Sequence, residues 1–152
     1  MVDDVQEYTG NCYCGSVTVT VDGPPVASAY CHCHSCRKWH AAPVNAWSIW
    51  PLIAVRISGE TIRSFTNETS RRISCAQCGG GVANIKPAIN MIVVYPMVLA
   101  GSDLGFEPVC HVHYIERVLD IADGLPKYIE LPKQLGGSGA TVSEPERSGW
   151  RE

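Results

Sequence analysis

A chain of 152 residues with 45% hydrophobic content has the size and composition of one globular domain able to bury its own core. Its 12 basic and 15 acidic side chains give a formal charge of −3, which excludes the general basic field of a nucleic-acid binder. No apolar run approaches the roughly 20 residues needed to cross a bilayer, and the acidic opening Met1-Val2-Asp3-Asp4 lacks the layout of a secretory leader, so a cytoplasmic protein without membrane or nucleic-acid partners is expected.

In chain order, Cys12-Tyr13-Cys14-Gly15 leads into Val17, Val19 and Val21, which alternate with Ser16, Thr18 and Thr20. That period of two is the pattern of a half-buried strand. Asp22-Gly23-Pro24-Pro25 ends it with turn chemistry. A second extended segment, 26–33, carries the chain into Cys31-His32-Cys33-His34-Ser35-Cys36, where Cys31 and Cys33 share one side and His32 takes the other. Residues 35–40 invite a helical turn. Further strands are expected over 44–50, 54–57, 62–65, 72–74, 91–95 and 109–119. Gly59-Glu60 reads as a hairpin turn, and Asp123-Gly124 closes the last segment. No stretch sustains a 3.6-residue period. Many short strands between turn signals predict an all-β domain over residues 1–131, of packed sheets with little helix. After Leu131 the chain turns Gly- and Ser-rich, with Gly136-Gly137-Ser138-Gly139, so 132–152 reads as a mobile tail.

Seven of the eight cysteines fall in three tight clusters, the third being Cys75-Ala76-Gln77-Cys78-Gly79. Disulfides fit this spacing poorly, because the two cysteines of a CxC cannot bridge each other without strain, and in the reducing cytosol expected for this chain such clusters serve metal binding or catalysis. Zinc fits well, since four sulfurs at about 2.3 Å complete its tetrahedron. The pairs Cys12, Cys14 and Cys75, Cys78 make one closed structural site. Cys31, Cys33 and Cys36 leave a fourth position for water, for a substrate, or for a histidine from among His34, His40, His111 and His113. Cys110 stands alone and reads as a small buried thiol. Trp39, Trp47 and Trp50 read as core or pocket walls.

The order CYCG, then CHCHSC followed by Arg37-Lys38-Trp39, Ala42-Pro43 and Trp47, then CAQCGG, resembles the glutathione-dependent formaldehyde-activating enzyme family, which also contains the centromere protein V relatives. A C-terminal signature accompanies it, with His111 in Cys110-His111-Val112-His113 and then Asp123-Gly124-Leu125-Pro126. The resemblance implies a zinc-bearing β-tent of stacked antiparallel sheets. It places a structural zinc on Cys12, Cys14, Cys75 and Cys78, and an exchangeable one on Cys31, Cys33 and Cys36. It also implies carbon–sulfur lyase-type chemistry, joining glutathione and formaldehyde as S-hydroxymethylglutathione.

On this reading Cys31, Cys33 and Cys36 are the catalytic cluster, and glutathione is the co-substrate whose thiol takes the open zinc position as a thiolate. His32, His34 or His111 are placed to move protons, with His111 the catalytic candidate. Glutathione's carboxylates call for cations, and Arg37, Lys38, Arg71 and Arg72 lie beside cysteine motifs. Two other readings stay open: a zinc-stabilised binding module, and a thiol redox or metal-buffer protein.

Overall fold

The structure is a computed structural model that describes residues 5–151, apart from the side chains of residues 65 and 66. Among the described residues, fourteen strands run in the order β1 (Glu7–Asn11), β2 (Thr18–Asp22), β3 (Ala27–Cys31), β4 (Asn45–Pro51), β5 (Val55–Ser58), β6 (Thr61–Asn67), β7 (Ser70–Cys75), β8 (Gly81–Lys86), β9 (Met91–Val94), β10 (His111–Val112), β11 (Leu119–Asp120), β12 (Lys127–Tyr128), β13 (Thr141–Val142) and β14 (Gly149–Trp150). Helix α1 (His34–His40) is the single α-helix among the described residues, and short 3-10 turns complete the inventory. The fold is all-β, as the sequence pattern predicts. Among the described residues no helix is long and apolar enough to cross a membrane.

The chain divides into two compact units, where the sequence suggests one domain. The first holds the described residues up to Ala27 together with Ser48–Phe106. In it, β1, β2 and β5 form a three-stranded antiparallel sheet, and the order β4-β9-β8-β7-β6 forms the facing layer. Alternation decides which side is buried: Val17, Val19 and Val21 are fully buried against Trp50, Ile73, Ile92 and Val94, while the threonines between them lie half-exposed. Each such valine contributes about 1.5–3 kcal/mol by leaving water. The buried Trp50 indole donates its N–H to the Gly23 carbonyl at 3.1 Å, so its polar edge is satisfied.

The second unit comprises Ser28–Trp47 and the chain from Glu107 onward. Here β10 lies between β3 and β12, parallel to both, and β12 pairs antiparallel with β13. The expected long strand 109–119 is broken. His113 adopts a left-handed backbone with φ of 51°, and Tyr114–Glu116 form a 3-10 turn, which ends β10 after two residues.

Residues 132–152, assigned by composition to a tail, contribute β13 and β14, the latter paired with β11. Two anchors account for this. The Ile129 N–H donates to the Ala140 carbonyl at 2.8 Å, and the buried Lys127 ammonium reaches the Glu144 carboxylate at 2.6 Å.

Candidate metal centres

The closed site is built in the first unit. A tight turn links Cys12 to β2, closed by the Cys12 N–H to the Val17 carbonyl at 2.9 Å, and a second turn follows β7, where the Cys75 N–H meets the Gly80 carbonyl at 2.9 Å. Together they bring the sulfurs of Cys12, Cys14, Cys75 and Cys78 within 4.8 Å of one another. Cys14 Sγ lies 3.7 Å from Cys12 Sγ and 3.7 Å from Cys75 Sγ. A tetrahedron with 2.3 Å metal–sulfur bonds requires about 3.8 Å between sulfurs, so the donor set fits zinc.

The surroundings are those of thiolates. N–H groups of Val17, Gln77 and Gly80 donate to the sulfurs of Cys12, Cys75 and Cys78 at 3.3, 3.4 and 3.4 Å. A Cβ on Gly80 would sit 3.3 Å from Cys78 Sγ, so that sulfur would have to give by a few tenths of an ångström. The Ser16 hydroxyl and backbone lower the Cys14 thiol to about 6.

The second cluster lies in the second unit. Cys31 ends β3, and Cys33 and Cys36 start α1, so three sulfurs fall within 4.8 Å of one another. Cys33 caps the helix, its sulfur accepting the Cys36 N–H at 3.3 Å, and Cys31 Sγ accepts the Cys33 N–H at 3.5 Å. Ala41, left-handed with φ of 49°, ends the helix. Hydrogen bonds with the Cys33 and Cys36 thiols, together with burial, push the Cys31 thiol far up. Three thiolates packed this closely need a cation to exist together, and this donor set also fits zinc, one ligand short of closure. All eight cysteines are free of disulfides, and Cys110 is a buried thiol packed beside Cys31.

Behind this cluster runs a polar chain, buried at His32, His111 and Lys127 and open to solvent at Asp123. His32 and His111 are fully buried, with His32 Nε2 and His111 Nδ1 2.8 Å apart. His111 Nε2 meets Asp123 Oδ2 at 2.8 Å. Lys127, 1% exposed, donates to Asp123 Oδ1 at 2.9 Å and to the Leu125 carbonyl at 2.9 Å. Tyr114 stands edge-on to both imidazoles, and Tyr30 stacks on His111. Burial lowers His32 to about 3 and also lowers His111, which the Asp123 carboxylate partly restores. Desolvation opposes ionisation of Asp123, but hydrogen bonds with Lys127, His111 and the Leu125 N–H hold it at about 2.

The structure thus brings together each cysteine set singled out from the sequence. His111, expected near the cluster as an acid–base group, has both ring nitrogens engaged by His32 and Asp123. Arg37 donates from Nε to the His32 carbonyl and from Nη2 to the Glu116 carbonyl, each at 3.0 Å, and so ties down the cysteine loop. Lys38 is exposed on α1. Arg71 and Arg72 lie on β7 of the first unit, Arg71 donating to the Asn67, Glu68 and Ser70 carbonyls and Arg72 buried. The sequence presents Asp123 as a turn residue and a member of the C-terminal signature, with no role at the site, and leaves Lys127 and Glu144 unremarked. The first carried a signal, its place in the Asp-Gly-Leu-Pro signature; a buried lysine and a partner beyond Leu131 carried none.

Known proteins resemble this chain in sequence and in fold. Residues 7–116 match the family described as glutathione-dependent formaldehyde-activating enzyme. An uncharacterized lyase of Schizosaccharomyces pombe is 29% identical over 73 residues, which are 48% of this chain and 53% of that protein. The match thus spans about half the length of the curated relative. A crystal structure of a Rhodobacter sphaeroides protein superimposes with a TM-score of 0.51 at 20% identity, covering 61% of this chain and 88% of the other, a likeness of fold alone. With its cysteine motifs in order and most of its length matched, this chain belongs to the glutathione-dependent formaldehyde-activating enzyme family.

Proposed function

We propose that the protein is a zinc-dependent carbon–sulfur lyase-type enzyme acting on thiol–aldehyde adducts, in the first place joining glutathione and formaldehyde as S-hydroxymethylglutathione. One observation carries the reading: three clustered sulfurs, one short of a tetrahedron, in a chain of this family. Zinc, when bound there, supplies the positive charge that lets an incoming thiol ionise near neutral pH. The chain's own part is to keep the site open and charged. Cys31 is held in an apolar wall with Ala29, Cys110 and Val112, while the Cys33 and Cys36 N–H groups point at ligand sulfurs. Glu116 accepts the His34 N–H at 2.6 Å and, with Arg37, fixes the loop that presents the three thiols. In the condensation the thiol sulfur bonds to the aldehyde carbon, the carbonyl π bond opens, and the oxygen takes up the proton. Lys38, exposed on the cluster's helix, is the cation we assign to a glutathione carboxylate.

Calorimetry on zinc-loaded protein with glutathione and its S-methyl derivative tests this, because the derivative keeps both carboxylates but offers no thiolate. We expect the derivative to bind at least about tenfold more weakly, a difference of roughly 1.4 kcal/mol. Equal affinity, or no binding of either at millimolar concentration, overturns the reading.

A further inference from the structure

We infer that Asp123 and His111 are positioning residues for the three-cysteine cluster: through one hydrogen-bonded relay, from Asp123 at the surface to the buried imidazoles, they fix the tautomer and place of His32, the residue that joins the two cysteines Cys31 and Cys33. This deepens the proposed function, since it rests on that cluster holding a metal.

The relay follows from counting protons. Asp123 Oδ1 already accepts from the Lys127 ammonium at 2.9 Å and the Leu125 N–H at 3.1 Å. Its other oxygen faces His111 Nε2, and a carboxylate only accepts, so the proton of that bond belongs to His111. A neutral imidazole carries one proton, so His111 Nδ1 is the acceptor of the next bond and His32 Nε2 its donor. Both rings are fully buried, with the Lys127 cation in the same network, and the neutral forms are the ones such a setting admits. His32 is left with a bare Nδ1, which is buried and has no hydrogen-bond partner among the described residues. That tautomer is the affordable one, because a buried lone pair without a partner costs less than a buried N–H without an acceptor.

Strand geometry explains how the relay acts on the metal ligands. In the β3–β10 pairing Tyr30 lies opposite His111 and Cys31 opposite Val112. Tyr30 stacks on His111, while Cys31 packs with Cys110 and Val112. His32 turns to the His111 side and is gripped there by a hydrogen bond and by the edge-on Tyr114 ring. The backbone between two ligating sulfurs is therefore anchored from behind, by groups about 80 and 90 residues further along the chain.

Asp123→Asn tests this sharply. Lys127 and Leu125 still require an acceptor at the Oδ1 position, so the amide nitrogen must face His111 Nε2 and donate to it. His111 then protonates at Nδ1 and donates to His32, whose proton moves to Nδ1. One substitution should thus invert two tautomers. With 15N-labelled histidine in the zinc-loaded protein, long-range proton–nitrogen NMR should show Nε2–H on both rings of the wild type and Nδ1–H on both rings of the variant. Metal retention at the three-cysteine cluster, read by competition with a chelator, should fall about ten- to a hundredfold in the variant. Glu144→Gln, which leaves the Asp123–His111 bond intact, should change neither readout. A wild type with Nδ1–H on His32 overturns the relay, and does so even if Asp123→Asn fails to fold. Inverted tautomers with unchanged metal retention overturn the positioning role alone, whereas a wild type that takes up no metal at this cluster overturns the proposed function and this inference with it.

Discussion

The residues of greatest consequence are the buried polar ones, because each has only a few arrangements open to it. The buried His32, His111 and Lys127 lie in one network with the partly exposed Asp123, and the charge state of each constrains the others. The sign of the pH dependence follows from the two imidazoles. Both have folded-state values below the ordinary 6.5, His32 at about 3, because burial penalises the cation. Above about pH 6.5 neither the folded nor the unfolded chain protonates them, and they leave stability intact. Below it the unfolded chain binds protons that the folded chain refuses, so stability is lost progressively as pH falls from 6.5 toward 3. Acid also strips protons' competitors from the sulfurs, which makes denaturation curves alone ambiguous. Ring titration by NMR isolates the effect. The His32 signals should remain those of a neutral imidazole from pH 8 down to 5 in the zinc-loaded protein, and a midpoint near 6.5 would contradict the burial argument.

At the scale of elements, alternation was legible and irregularity was not. Val17, Val19 and Val21 announced β2, and the expected strands 44–50, 62–65, 72–74 and 91–95 all contain residues of observed strands. β1 and β8 escaped notice because each has little apolar alternation, as Glu7-Tyr8-Thr9-Gly10-Asn11 shows. Strand β1 is held by close backbone approach instead. A Cβ on Gly10 would lie 1.9 Å from the Val98 carbonyl oxygen and 2.8 Å from Leu99 Cα, both rigid backbone atoms. Gly10→Ala should therefore force β1 away from the Pro96–Leu99 turn, at about 1–3 kcal/mol by the usual cost of overpacking. A lowered denaturant midpoint with unchanged slope is the expected outcome. An unchanged midpoint would mean that the two segments separate without loss. The segment 109–119 failed for a different reason, since nothing in its composition announces the left-handed His113 that ends it.

For the molecule as a whole, spacing made the candidate metal ligands readable while long-range pairing hid their support. Cys12, Cys14, Cys75 and Cys78 could be grouped from the sequence because pairs one or two residues apart have few other uses. Lys127 and its partner Asp123 could not, because a lysine becomes a core residue only through partners that the fold supplies. Each compact unit owns one cysteine cluster, and the two should respond differently to metal removal. A structural zinc can contribute on the order of 10–16 kcal/mol, which matches or exceeds the roughly 5–15 kcal/mol that separates a folded domain from its unfolded chain. The closed site should thus release metal only as the first unit unfolds, and Cys75→Ser, at a fully buried ligand, should yield protein that lacks one metal and unfolds without cooperativity. On the proposed function, the three-sulfur site has an exchangeable position and fewer protein ligands to hold an ion. Timed chelation with metal counting should show two phases, and Cys33→Ser should remove the faster while near-ultraviolet dichroism and the slower phase stay as in the wild type. A single slow phase shared by the wild type and Cys33→Ser would show that the second cluster is not an exchangeable site, and the proposed thiol chemistry would lose its footing.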